Sequence, residues 1–488
     1  MTAPVADRPD GPEAAPEPLP ETPSEPAPET PAESAGQSDP PGGRSSAGRV
    51  TAAVETALLA VGVMLLAVTP KPPMMGDGLA RYQALLELLE QRQLPGTQYS
   101  MIGPLFATPL WLVGHWYGNT QIWLVQYNFL LLMVGLAAIH LLLQGRVAPR
   151  THRRLLLLLV AGSMVAAHVQ DFYGEMFTAM AVGVGLLAVT LPDTRWATRA
   201  AGWVAIVLGV ANTPGSIVAL GLVVVVLCLM RRRLRYLAAL PAAAALIVGE
   251  NWWRFGDPLH SAYAGHGGGA TVMPYSGQPG FSYPFLVGLV AIVFSFGKGL
   301  IWFTPGLFLP ARDRLREAGA NLWRVWLLWA VFVVGLVLLY SRWWGWYGGM
   351  YWGPRFFLVA MLPAALALAV CLEPGRARPW TNVATVVVAV LSVWGAANGL
   401  VFGQLRPWTC YENNYHLEAL CHFTPEFSPL WFPFVDTPEL TSLQRGTLLF
   451  YAVVLLWLVA PVLGRLAGQV RAALGGHRDL LARRTWHW

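Results

Sequence analysis

The chain has 488 residues, of which 55% are hydrophobic and only 12% charged, with a formal net charge of +6. A mean hydropathy of +0.47 and a charge content about half that of soluble domains exclude a water-soluble globular fold, and apolar runs of about 17–25 residues recur, each able to cross a bilayer. The pI near 9.2 does not point to nucleic acid, because the arginines lie in short clusters between apolar runs, where they set membrane orientation.

Residues 1–48 are rich in Pro and Glu and poor in large apolar side chains, so they are expected to be a disordered cytoplasmic tail. The apolar run 51–69 then reads as an uncleaved signal anchor, with Arg44 and Arg49 holding its start in the cytoplasm. Further runs follow at 121–143, 154–170, 176–191, 199–213, 216–230, 236–251, 297–311, 323–341, 355–372, 380–402 and 446–464. They predict an all-α integral membrane protein of about twelve transmembrane helices, within about two. The loops assigned to the inside collect Arg146, Arg150, Arg153 and Arg154, then Arg231, Arg232, Arg233 and Arg235, then Arg312, Arg314, Arg316 and Arg324. Both termini are therefore expected in the cytoplasm of a bacterial inner membrane, with a polytopic domain over 49–465 and a basic tail over 466–488. The stretches 100–116 and 281–296 are apolar but would reverse this topology if they crossed, so they read as helices at the outer interface.

The outer segments hold the residues that could carry chemistry. After the first span, Asp77 is followed by Arg81 and Tyr82; Asp77 is either the N-cap of an amphipathic helix over 79–94 or an acid presented at the membrane surface. Asp171 and Glu175 flank Tyr173 at helical spacing and either rim a wet cavity or sit among headgroups. Basic side chains are few here: Arg254, Lys298, Arg342 and Arg355. A cation among glycines and aromatics suits a lipid phosphate, although headgroup contact would explain each equally well. The aromatics Trp343, Trp344, Trp346, Tyr347, Tyr351 and Trp352 read as an interfacial belt or as a stacking surface for a sugar or prenyl chain. Cys410 and Cys421 share the outer loop 403–445 and are candidates for a disulfide; Cys228 and Cys371 lie in apolar runs. No nucleotide-binding, metalloprotease or nucleophile-elbow motif stands in a supporting context, and the outer histidines lack metal-ligand spacing.

Five stretches, GDGLARY, DFYGEMFTA, NWWRFGDPLHSAY, FSFGKGLIWFTPGL and WWGWYGGMYWGPRFFLVAMLP, together give the chain a resemblance to a known family. Over about residues 51–372 it resembles the polytopic GT-C glycosyltransferases of bacteria, in the branch holding protein mannosyltransferases and the lipid A aminoarabinose transferase. The resemblance implies an inverting transfer of a sugar from a polyprenyl phosphate to an extracytoplasmic glycan, lipid or protein. It implies Asp77 as the base and Asp171 or Glu175 as the second acid. Arg81, Tyr82, Arg254, Lys298, Arg342 and Arg355 are then expected around the substrate, with membrane lipids as partners and no nucleic acid.

The sequence also departs from that pattern. The stretch TQYSMIGPLFATP has no lysine where the family often has one, and Gly78 follows Asp77 where a second carboxylate is common. No cofactor is assigned, and a divalent metal is left open. Two other readings of the same residues are a non-catalytic scaffold on a GT-C fold and a lipid or saccharide transporter.

Overall fold

The computed structural model describes residues 46–260, 263, 271–273, 276–278, 280–349, 351–375, 377–403, 408–410 and 412–484. The expectation for residues 1–45 lies outside them. Residues 49–488 form one compact unit, and among the described residues every regular element is helical. Among the described residues, seven helices are long and apolar enough to cross a membrane.

In chain order the elements used below are α1 (Ser46–Val68), α2 (Gly76–Leu89), α3 (Thr108–Tyr117), α4 (Tyr127–Leu143), α5 (Pro149–Ala161), α6 (Gly174–Thr190) and α7 (Trp196–Asn212). They continue with α8 (Ile217–Arg231), α9 (Ala239–Phe255), α10 (Phe285–Phe294), α11 (Leu322–Tyr340), α12 (Met361–Leu372), α13 (Pro379–Val401) and α14 (Ser442–Arg484). The window that contains α12 is 94% buried, which makes this helix the centre of the bundle. Around it α6 and α7 pack as a hairpin, α8 pairs with α11, α13 with α14, and α5 lies directly against α12. Leu155 to Ala161 of α5 are all buried, which explains why that run shows no polar face.

Hydropathy predicts a single span over 297–311. The chain instead forms two short helical pieces there, Leu300–Phe303 and the 3-10 turn Pro305–Phe308. Pro305 denies the ladder a donor, and Gly306 packs so close to α12 that a Cβ there would fall 2.3 Å from the Ala364 carbonyl oxygen. Broken backbone is tolerated here because Leu300, Phe303, Pro305 and Gly306 are covered by protein. The expected boundary at 465/466 is not marked by a break either, since α14 runs on through it.

The bundle has two polar ends. At one, Glu55 of α1 is fully buried and meets Arg153 at 2.9 Å and Arg154 at 3.0 Å from α5. Arg154 also donates to the Leu372 carbonyl at 2.9 Å, and Arg465 of α14 donates to the Glu373 carbonyl at 2.9 Å. These guanidiniums satisfy and neutralise the C-terminus of α12, whose last carbonyls have no helical partner. The other end, where α1 finishes and α6 starts, carries Asp77.

Candidate active site

Asp77 lies in the first turn of α2, whose N-cap is Met75 with no side-chain cap bond, so capping is not its role. Its backbone N–H donates to the Tyr351 hydroxyl at 3.1 Å. Its carboxylate instead reaches the start of the helical run into α12, where Arg355 Nη2 donates to Oδ2 at 2.5 Å. The Tyr99 hydroxyl donates to the same carboxylate. Burial alone would raise the Asp77 carboxyl; Arg355, Tyr99 and Arg81 overcome that and hold it below the usual carboxylate range.

The second acidic pair comes from the turn before α6. Asn128 of α4 holds this turn by donating to the carbonyls of Asp171 at 2.7 Å and Tyr173 at 3.0 Å. Asn212 of α7 donates to the Gly174 carbonyl at 2.9 Å. Glu175 Oε1 then lies 3.7 Å from Arg355 Nε, so one guanidinium faces two carboxylates from different elements. Asp171 accepts from the Phe172 N–H at 2.6 Å and from the Tyr173 hydroxyl. Burial nonetheless pushes it up to about 6, against those bonds and the nearby Arg355. Asp171 packs on Gly78: a Cβ there would fall 2.2 Å from its Oδ1.

Arg81, one turn after Asp77, is buried and lies against Gly174, with its guanidinium 4.4 Å from the Tyr99 ring centroid. Arg355 is sandwiched similarly, 4.2 Å from the Tyr351 centroid and 5.6 Å from that of Tyr173. Among the described residues, Arg81 Nε and Nη1, Arg355 Nε and Nη1, and Glu175 Oε2 are buried without a hydrogen-bond partner. Buried charged donors of this kind are costly unless something bonds to them. A narrow pocket runs from Glu175 between α6, α11 and the start of the α12 run, walled by Ala179, Phe332, Leu336, Phe356 and Val359. The pocket is small, and Thr178, Thr213, Ser216 and Tyr340 line it as well, so its polarity is mixed.

The remaining candidates stand elsewhere. The Tyr82 hydroxyl bonds Thr120 Oγ1 at 3.0 Å. Arg254 donates to the carbonyls of Pro95, Thr97 and Tyr99 and pairs with Glu250 at 3.0 Å, so it shapes the loop that presents Tyr99. Arg342 is exposed, and its carbonyl accepts from the Tyr283 N–H. Lys298 is buried, and its ammonium donates to carbonyls of the segment that carries Tyr351. Cys410 and Cys421 are joined by a disulfide, with Cα atoms 6.3 Å apart. Among the described residues no three His, Cys, Asp or Glu side chains form a metal-ligand set, and Asp77 is already engaged by Arg355, so these side chains do not fit a resident cation. Sequence reasoning misses Tyr99 and the bracing role of Asn128. The one signal for Tyr99 is its place in the outer stretch TQYSMIGPLFATP.

No protein-family model matches the chain, and no curated protein matches it. Among solved structures it is similar to ArnT from Cupriavidus metallidurans bound to undecaprenyl phosphate, at 16% identity and a TM-score of 0.47, over 86% of this chain and 77% of that one. It is similar to the apo state of the same protein at 14% identity and a TM-score of 0.46, with the same coverage.

Proposed function

We propose that this chain is a membrane glycosyltransferase that moves a sugar from a polyprenyl-phosphate donor to an extracytoplasmic acceptor. The observation that carries the reading is the pair of buried arginines, Arg81 and Arg355, with N–H groups that lack a hydrogen-bond partner, Arg355 lying between Asp77 and Glu175. A lipid phosphate has the charge and the acceptor oxygens that such donors lack.

In this reading Arg355 and Arg81 bind the donor phosphate and stabilise the charge that grows on it as the sugar–oxygen bond breaks. The phosphate competes with Asp77 for Arg355. Asp77 is a weak base while Arg355 holds it, and becomes a stronger one as the guanidinium turns to the phosphate. It then takes the proton of the acceptor hydroxyl as that oxygen attacks the anomeric carbon from the face opposite the leaving phosphate, giving inversion. Glu175 and Asp171 keep the arginines oriented and the local charge balanced. The arginine-rich Glu55 end belongs in the cytoplasm and the Asp77 end outside it, because positive residues are retained on the cytoplasmic side. Both termini then lie in the cytoplasm of the bacterial inner membrane.

The test is transfer by purified protein offered radiolabelled polyprenyl-phosphate sugars and a lipid and glycan extract, wild type beside Asp77→Asn. Label passing to a new product in wild type alone supports the reading. No transfer from any donor by folded protein returns the chain to the scaffold or transporter readings.

A further inference from the structure

Lys298 is 4% exposed, in a turn whose glycine neighbours leave no room for a larger chain. Its ammonium donates to the Gly349 carbonyl at 2.9 Å, to the Gly353 carbonyl at 3.0 Å and to the Tyr351 carbonyl. The Gly353 carbonyl also accepts from the Arg355 backbone N–H at 3.2 Å. One ammonium thus pins the segment that places the Tyr351 ring under Arg355 and the Tyr351 hydroxyl on the Asp77 N–H.

The Lys298 turn is itself gripped from the disulfide loop. The Gly297 N–H donates to the His422 carbonyl at 3.0 Å, and Ser428 Oγ donates to the Phe296 carbonyl at 2.7 Å. A Cβ on Gly297 would fall 1.9 Å from the Cys421 carbonyl oxygen, so only glycine permits this approach. Cys421 is disulfide-bonded to Cys410. On the short helix Glu418–Phe423 that carries Cys421, Glu418 accepts from the Tyr347 hydroxyl at 2.6 Å, and the His422 ring lies 4.4 Å from that of Tyr347. The loop therefore holds both flanks of the arginine-bearing segment, one through Tyr347 and one through Lys298.

We propose that Lys298 and the Cys410–Cys421 loop are positioning elements: together they clamp the 345–353 segment and so fix the Arg355–Asp77 pair, and reducing the disulfide loosens that pair. Lys298 is then a brace for backbone carbonyls and not a ligand of the donor phosphate. The proposal rests on the function proposed above for its consequence, but its structural content is separable from it. A carbonyl brace acts through the placement of the reacting groups, where a misplacement of about 1 Å costs on the order of 10²-fold in rate.

Hydrogen–deuterium exchange on the purified full chain gives the direct readout, comparing wild type, Lys298→Met, Lys298→Arg and Cys410→Ser/Cys421→Ser, and wild type before and after dithiothreitol. Exchange over 345–355 is expected to rise by about tenfold or more in Lys298→Met, and measurably on reduction, while α12 and α13 stay protected. Lys298→Arg, which keeps the donors, should recover part of the protection. In the transfer assay, kcat should fall in Lys298→Met with the donor KM little changed. Unchanged exchange over 345–355 in both Lys298→Met and reduced wild type overturns the proposal, as does a rise in donor KM at unchanged kcat. Should Lys298→Met fail to fold, reduced wild type decides alone. Raised exchange in a protein that transfers no sugar would sink the glycosyltransferase reading and leave the clamp standing.

Discussion

Arg355 and Asp77 stand 278 positions apart in the sequence and meet at 2.5 Å, joining the start of the central helical run to the first helix after the α1 span. The contact is partly buried, and Glu175 shares the same guanidinium from a third element. A charge-assisted pair in such surroundings is strong, and breaking one side leaves the other charge uncompensated.

The first prediction separates the two partners. Asp77→Asn keeps the shape and one acceptor, so the protein should fold, while transfer should fall by about 10²–10⁴-fold if Asp77 takes the proton. Arg355→Lys keeps the charge but loses the fork and the flat stacking surface on Tyr351, and should cost about 10²–10³-fold. Steady-state kinetics on both variants, with thermal unfolding as the control, checks this. Near-wild-type turnover in Asp77→Asn would remove Asp77 from the chemistry.

The second concerns pH. The folded Asp171 value is raised from 3.8 to about 6, so its carboxylate form is present above that pH and lost below it. Its negative charge supports the basicity of Asp77, so transfer should decline as pH falls through about 6, and Asp171→Asn should flatten that limb at a lower plateau. Stability moves the other way for this group: between about 4 and 6 the folded state binds the proton more tightly than the unfolded chain, so falling pH favours the fold. A loss of activity as pH falls below about 6, at an unfolding midpoint that does not fall with it, is the expected signature. An acid limb that survives unaltered in Asp171→Asn would assign it to another group.

Much of the fold and part of the site are legible in the sequence. Helix composition, arginine distribution and the gathering of Asp77, Asp171 and Glu175 at one end of the bundle follow from hydropathy and charge, which act locally along the chain. The broken passage at Leu300–Phe308 is not legible, because its apolar run hides the proline and glycine contacts that interrupt it. Nor is the division among the basic residues. Arg254, Lys298 and Arg355 all sit among glycines and aromatics in sequence, and only their partners tell them apart: loop carbonyls and Glu250 for Arg254, carbonyls for Lys298, and the Asp77 and Glu175 carboxylates for Arg355. Tyr99 reaches Asp77 through a loop whose shape depends on Arg254 and Glu250, an association across 155 positions that no local pattern encodes.

The third prediction follows from Gly78. An added methyl would overlap Asp171 Oδ1, a side-chain terminus that can swing away at the expense of its bonds to Phe172 and Tyr173. Gly78→Ala should therefore lower transfer by about tenfold or more through misplacement, with a smaller effect on the unfolding midpoint. The pH limb near 6 should shift as well, since the environment of Asp171 changes. A variant with normal rate and an unshifted limb would show that Asp171 contributes nothing to turnover.

The last prediction concerns the opposite end, where function is not at stake. Arg154 is 1% exposed and bonds Glu55, the Leu372 carbonyl and Glu373, whereas Arg150 is 34% exposed and approaches Glu55 only to 3.9 Å. Arg154→Met should cost about 1–3 kcal/mol, because Glu55 keeps its burial and loses its fully buried partner while retaining the half-buried Arg153, whereas Arg150→Met should cost about 0–1 kcal/mol. Glu55→Gln added to Arg154→Met should restore part of the loss, since the buried carboxylate that has lost one of its two close partners is then neutral. Unfolding midpoints in detergent for the three variants measure this. Equal shifts for Arg154→Met and Arg150→Met, or no recovery in the double variant, would mean that the stability of this end comes from apolar packing around α5 and α12 rather than from the ion network.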